Sequence, residues 1–569
     1  RFSKRLIKSN KERMKTMKFK KSIALLLTIC LLIVTFSGCK KETSKETTSK
    51  DTNNQQENTT TQKESEADPN LEGNLYKTGL PILKEKEKFT VMIKKNNLSK
   101  NSYPEKVPVQ EVEAETNMEI VWQEIAPSGW TEKVNLSFAS SDLPDAFISG
   151  IGPATLMQNT KALVPIGDYV DDYAPHIKKL WEERPDIQKA LTTPDGKIYS
   201  FNTGEESAWG VTNSLLYLNK TWLDDLGLEV PRTTEEYVTV LTAFKEKDMN
   251  KNGKTDDEIP FSFCQQDASY ALNSFFGAFG VLDNNNHLMV ENGKVVFPAI
   301  QPEFREALTW FHSLAKAGLL DVEGFSQTLE QLQAKGKDSQ IRLGSFLSYN
   351  ADTATGDNAK QYIPIEPLQG NNKKVLWNKE GQKGGNPTGF VVTTSCKNPA
   401  AMVRWHDHIN SSWENKMRWS FGPENQAWKF NSEGLWIQNN DNLPEGASWG
   451  ELRHTVAPAS QANWFMTAEE GLHKRLLAPR TQARLDAITQ LYQQYFPEET
   501  LQTTFEDLTI SNEKNLLLVE IDAYLSNFIA HSILKGITDA QWEQHLKTCQ
   551  SLNIERYVEL WQQQYDKQK

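Results

Sequence analysis

The stretch whose residue types and spacing most plainly imply chemistry is Asp248-Met249-Asn250-Lys251-Asn252-Gly253-Lys254-Thr255-Asp256-Asp257-Glu258. Counting Asp248 as the first position, Asn250, Asn252 and Asp256 put oxygen side chains at the third, fifth and ninth, and Gly253 falls at the sixth. That is the arrangement in which a short loop wraps a hard Ca²⁺ ion. Alternate side chains turn inward, glycine permits the tight bend, and Lys254 offers its backbone carbonyl. An EF-hand closes with a bidentate glutamate at the twelfth position, which here is Ile259, so the closing ligand must lie elsewhere. The plainer reading is an Asx-rich surface loop after a helix. The expected cofactor is a Ca²⁺ ion with a structural role.

Sixteen tryptophans suggest a second chemistry. Sugar rings present flat C–H faces, which aromatic platforms with a few polar neighbours recognise. Trp130, Tyr199, Trp209, Tyr270 and Trp428 lie in or beside loop-like segments and are the expected ligand contacts. Asp145 joins them as a residue at a strand turn, where its alternative role is to cap the next helix. Trp310, Phe311 and Trp405 fall on helical patterns and are expected in the core. No G-x-S-x-G, H-E-x-x-H or phosphate-binding glycine motif occurs, and no pair among the many carboxylates is privileged. The reading is a binding protein and not an enzyme; a surface-anchored glycoside hydrolase is the alternative.

Cys39 carries the third chemistry. From Met17 the chain reads MKFKKSIALLLTICLLIVTFSGCK: lysines, an apolar run from Ile23 to Phe36, then small residues before a cysteine. This is a secretory signal, and the run is short for a membrane-spanning helix. Phe36-Ser37-Gly38-Cys39 resembles the lipobox of bacterial lipoproteins, in which the thiol takes up diacylglycerol and the peptide is cut just before it; Leu is usual where Phe36 stands. The expectation is a signal peptide over residues 1–38, with an upstream extension over 1–16, and a mature protein held on the extracellular face of the cell membrane by Cys39. Residues 39–85 are expected to be a disordered linker, since residues 40–69 contain no aliphatic or aromatic side chain beyond alanine. Cys264, Cys396 and Cys549 are expected to be free thiols.

Length and charge bound what remains. A chain of 569 residues needs more than one core. Residues 1–38 hold ten Lys/Arg and one acid, which leaves 53 bases against 73 acids, a net charge of −20, on the rest. That excess of acid gives no electrostatic reason to bind nucleic acid. Strand-like alternation in Glu87–Lys95, a helix over Pro108–Thr116, a strand at Met118–Gln123, a helix over Trp130–Ala139 and a short strand near Pro144–Ile148 spell an α/β lobe with a largely parallel sheet. Helices are expected at Thr221–Leu226, Thr234–Lys245, Pro302–Ala317, Pro399–Ser411 and Ala478–Tyr495, and a returning strand at Gly389–Thr393. Thr538–Gln564 reads as two helices parted near Asn553.

Several segments in order resemble the extracellular solute-binding proteins of the sugar-binding type, family 1, especially the long lipoprotein members. They are Ser141-Asp142-Leu143-Pro144-Asp145, Pro194-Asp195-Gly196-Lys197-Ile198-Tyr199, Tyr217-Leu218-Asn219-Lys220-Thr221-Trp222-Leu223 and Leu226-Gly227-Leu228-Glu229-Val230-Pro231-Arg232-Thr233. The resemblance implies an α/β fold of two lobes joined by a hinge, discontinuous in sequence, occupying residues 86–569 with a helix-rich C-terminal part. It implies an oligosaccharide-like ligand passed to the permease of an ABC importer, or presented to a sensor component. Alginate-binding members of the family close a similar loop with acids directly after the ninth position. Asp257 would then be the closing ligand, with Glu258 competing.

Overall fold

The structure is a computed structural model that describes residues 68–568, except 380–383, 446 and 503. The leader and Cys39 lie outside the described residues. The expected linker ends earlier than residue 85: Leu75, Ile82 and Leu83 are buried, and the Arg404 guanidinium donates to the Tyr76 and Gly79 carbonyls. The segment Leu71–Leu83 carries enough leucine and isoleucine to join a core.

The first lobe starts as the sequence suggests. Strand β1 (Glu87–Lys94) buries Phe89, Val91 and Ile93 on one face and Met92 on the other. Helix α1 (Val107–Thr116) ends at Asn117 with φ 59°, and β2 (Met118–Ile125) pairs parallel with β1. Helix α2 (Trp130–Ser140) then leads to β3 (Ala146–Ile148), which pairs parallel with the other side of β1. After several short helices, β4 (Ser200–Glu205) leaves this lobe for the second, where β5 (Leu215–Asn219) is fully buried.

In the second lobe α3 (Thr234–Glu246) is capped by Thr233, whose hydroxyl accepts from the Glu236 amide. Strand β6 (Ile259–Ser262) follows, then α4 (Pro302–Ala317), which has proline in its first turn and stops at Gly318 with φ 66°. Strands β7 (Leu343–Ser348) and β8 (Tyr362–Ile365) complete a four-stranded sheet ordered β8-β5-β7-β6. The chain returns to the first lobe through β9 (Asn386–Val392), α5 (Pro399–Ile409) and β10 (Phe465–Met466), giving a six-stranded sheet ordered β10-β4-β9-β3-β1-β2.

This sheet is largely parallel, as expected, with one strand reversed. Strand β9 runs antiparallel to β3 and β4, whereas β10 runs parallel to β4. Direction follows from topology: β4 and β10 both carry the chain out toward the second lobe, and β9 brings it back. A third crossing leads to α6 (Pro479–Ala487), then α7 (Leu508–Lys535), α8 (Asp539–Ser551) and α9 (Ile554–Gln568). Ile521, Leu525, Ile529 and Ile533 recur every four residues along α7 and join the second-lobe core, as do Ile554 and Tyr557 of α9. Cys264, Cys396 and Cys549 are free and buried.

Candidate functional site

Between the lobes lies a cavity of about 1190 Å³. The first lobe supplies Asn202 from β4, Lys189 in the helix Pro185–Leu191 and Thr192 to Pro194 after it, and Gly384, Gly385 and Pro387 at the entry to β9. Gly385 has φ 66°, and a Cβ there would meet the Thr203 carbonyl at 2.4 Å, so the strands at the cavity floor require glycine. The second lobe supplies Gln265 and Gln266 beyond β6, Asn273, the loop from Asp283 to His287, Asn378, and Asp522 and Ser526 of α7.

Among the described residues, twelve asparagine and glutamine side chains line this cavity, against two phenylalanines, Phe325 and Phe505. The second-lobe amides are held by one another. Gln265 Nε2 donates to Asn273 Oδ1 at 2.9 Å, and Asn273 Nδ2 donates to Asp283 Oδ2 at 2.9 Å. His287 Nδ1 lies 2.8 Å from Asp283 and its Nε2 3.2 Å from Asp522. Burial opposes a charge on His287, but the two carboxylates outweigh it and push its pKa up to about 9. On the first-lobe side Asn202 is 2 % exposed and its Nδ2 has no hydrogen-bond partner. A buried donor left unpaired is costly and calls for an acceptor. Among the described residues the wall carries six carboxylates, from Asp186, Asp283, Glu499, Glu506, Asp507 and Asp522, against Lys189, Lys379, Lys567 and His287.

None of the six expected ligand contacts lines the cavity. Trp130 is buried, its Nε1 donating to the Gly150 carbonyl at 2.9 Å, and packs in a cluster with Leu156, Tyr199 and Phe505. Tyr199 donates to Asp195 at 2.8 Å; burial and that bond push its pKa up to about 12. Asp145 accepts from the Thr90 amide and hydroxyl at 2.6 and 2.8 Å, and so ties β3 to β1. Tyr270 belongs to the second-lobe core, and Trp428 to the first, where its Nε1 donates to the Gly422 carbonyl. Trp209 stands on the crossing between β4 and β5. The asparagines that do line the cavity are scattered along the chain; Asn284-Asn285-Asn286 is the one local run that hinted at them.

The Asp248 loop is folded around its own oxygens. Asp248 accepts from the Asn252 and Gly253 amides at 3.0 and 2.8 Å, with Gly253 at φ 88°. Asp257 turns inward, accepting from the side-chain amides of Asn250 at 3.4 Å and Asn252 at 2.7 Å, whereas Asp256 is exposed. Glu258 is buried; its Oε1 accepts from the Met249 amide at 2.8 Å and its Oε2 has no partner. Among the described residues no three acidic, histidine or cysteine side chains are gathered as a metal group, so any cation here depends on the amide oxygens of Asn250 and Asn252 as well.

Residues 97–412 match the family profile described as bacterial extracellular solute-binding protein. The chain belongs to that family. A curated relative is the fructooligosaccharide ABC transporter substrate-binding protein FusA of Streptococcus pneumoniae serotype 4, 29% identical over 526 residues, covering 88% of this chain and 93% of the relative. The FusA structure in complex with kestose superposes with a TM-score of 0.69 at 28% identity, over 84% of this chain and 99% of that one. An EF-hand mutant of FusA in complex with fructo-nystose gives 0.69 at 27%, over the same shares. A solute-binding protein of Bifidobacterium longum subsp. infantis gives 0.74 at 22%, over 85% and 98%, and shows the shared two-lobed fold.

Proposed function

We propose that this solute-binding protein captures a neutral oligosaccharide in the interlobe cavity and hands it to the permease of an ABC importer, without chemistry on the sugar. The observation that carries this reading is the amide lining, with Asn202 holding an unpaired donor. An uncharged sugar offers hydroxyls that both donate and accept, and carboxamides match both needs from one side chain. The cavity is larger than a single sugar ring requires. Its excess of carboxylate repels a polyuronate. FusA, the relative of similar length, is named for fructooligosaccharides. Few aromatics line the wall, so hydrogen bonding carries more of the recognition than stacking.

Closure of the lobes would complete the site, since each lobe holds part of the lining and three crossings join them. Titration calorimetry with kestose, longer fructooligosaccharides and galacturonate oligomers tests the reading. Heat from the uronates alone would sink it. Sugar recovered intact after incubation separates binding from a hydrolase.

Two further parts belong to the proposal. Cys39, after Ser37 and Gly38, is the expected site of lipid attachment, holding the protein on the extracellular face of the cell membrane; membrane retention of a Cys39→Ala variant would refute it. A Ca²⁺ ion fits the loop, held by Asp248, Asn250, Asn252, Asp256 and Asp257 with the Lys254 carbonyl. The buried, unpartnered Oε2 of Glu258 supports a cation and makes Glu258 the rival closing ligand. The loop precedes β6 and Gln265 follows it, so the ion would brace the far end of a strand that presents a cavity residue.

A further inference from the structure

The first crossing, residues 206–214, is held by charged groups at both ends. At the first-lobe end Glu206 accepts from both terminal nitrogens of Arg184 at 3.0 Å. The same carboxylate accepts from the Gly384 amide at 2.7 Å, where the second crossing enters β9, and from the Ala468 amide at 3.3 Å, where the third crossing leaves β10. One carboxylate thus gathers all three connections. Next to it Arg475 donates to Glu205 at 3.0 Å and lies over two indoles, Trp436 of the first-lobe core at 4.3 Å and Trp209 at 4.8 Å.

At the second-lobe end Arg484 of α6 is 2 % exposed. Its Nε donates to the Trp209 carbonyl at 2.7 Å and its Nη2 to the Thr212 carbonyl at 2.5 Å, while Nη1 reaches the Tyr349 carbonyl. The guanidinium lies 3.6 Å from the centre of the Tyr349 ring. Five donors in a rigid fork suit a guanidinium, and not an ammonium, to three carbonyls at once. Trp209 is therefore divided. Its indole rests on an arginine anchored in the first lobe, and its carbonyl is bonded to an arginine of the second. The neighbouring Gly210 amide turns back to the Ser207 carbonyl at 3.0 Å.

We propose that Trp209 is the pivot about which the lobes turn, fixed on the first-lobe side by Arg475 and Glu206 and on the second-lobe side by Arg484. Trp209 is then a positioning residue for solute capture and not a contact of the solute. The inference rests on the closure reading above. Along the first crossing, rotation falls on the few bonds between the indole and the carbonyl, because the groups beyond each are bound to a different lobe.

The test uses the full chain without ligand, comparing Trp209→Ala, Trp209→Phe and wild type. Amide exchange across residues 206–213 is expected to be about tenfold faster in Trp209→Ala, with a larger radius of gyration by X-ray scattering. Trp209→Phe, which keeps a ring under Arg475, is expected to restore both. A melting point lowered equally in both variants, with exchange and radius unchanged, would reduce Trp209 to packing and overturn the proposal. Closure is read separately, from the wild-type radius of gyration with and without kestose in a sample where calorimetry shows binding. A rigid wild type would sink closure, while exchange would still report whether Trp209 joins the lobes.

Discussion

The His287 imidazole bridges Asp283, at 2.8 Å within its own loop, and Asp522 of α7, at 3.2 Å. It fastens the run of asparagines on the cavity wall to the C-terminal helices. Its folded pKa of about 9 lies above the unfolded value, near 6.5. A raised pKa means that the bridge contributes fully below about pH 6.5 and is lost as pH rises through 9. We expect stability to fall over that window by on the order of 2 to 3 kcal/mol, allowing for the exposed Asp522. His287→Gln should flatten the alkaline limb in denaturant titrations between pH 6 and 10. An unchanged limb would show that the bridge is not charged.

His406 gives the opposite slope. It is buried, stacked 4.7 Å from Phe390, with neither ring nitrogen bonded, and desolvation followed by repulsion from Lys416 pushes its pKa down to about 3. The unfolded chain binds the proton first, so stability falls as pH drops below about 6.5. His406→Phe, of similar shape and without nitrogens, should gain about 2 kcal/mol at pH 5 relative to wild type and less at pH 8. Equal effects at the two pH values would refute the assignment.

What could be read from the sequence follows how local its cause is. Pro302 to Ala317 is helical as expected, because proline in the first turn and Gly318 after the last are signals within the segment itself. The two final helices part at Asn553, whose φ is 58°. Helix α7 is not singled out by the sequence, although Ile521, Leu525, Ile529 and Ile533 repeat every four residues; the exposed Leu516 and Val519 blur its apolar stripe. The reversal of β9 within the otherwise parallel sheet depends on which strands leave for the other lobe and which return, a long-range property. The loop aromatics mislead for a physical reason: a polar tip on Trp130 or Trp428 looks like a ligand-facing group, yet a nearby carbonyl, of Gly150 or Gly422, already satisfies it. The cavity amides at 202, 265, 273 and 378 meet only in the fold.

Calcium bound to the folded loop should stabilise by mass action, by about 2.7 kcal/mol at a hundred times its dissociation constant. The melting temperature should therefore rise with added Ca²⁺ and fall with EDTA. Asp257→Asn and Glu258→Gln separate the two closing ligands. The true one should abolish the response, and its rival should lower only the basal stability, since Glu258 also accepts the Met249 amide. A melting point indifferent to both reagents in wild type would remove the ion.

The last prediction pairs a core aromatic with a cavity amide. Trp130 sits within a cluster of Val134, Leu156, Tyr199 and Phe505, and its indole N–H is already spent on Gly150. Trp130→Ala opens a cavity and strands that carbonyl, so it should cost about 3–5 kcal/mol of stability. At a temperature where the variant is folded, its affinity for kestose should be little changed. Asn202 is the reverse case: its Nδ2 bonds to nothing in the folded protein, so Asn202→Ala removes an unsatisfied group and should leave the melting point within a few degrees. If that donor meets a sugar hydroxyl, affinity should fall about tenfold, the worth of one net hydrogen bond in a closed site. Melting temperature and calorimetric affinity measured on both variants decide the matter. An Asn202→Ala protein that binds as tightly as wild type would move the solute away from β4. A Trp130→Ala protein that melts normally but no longer binds would return Trp130 to the solute site.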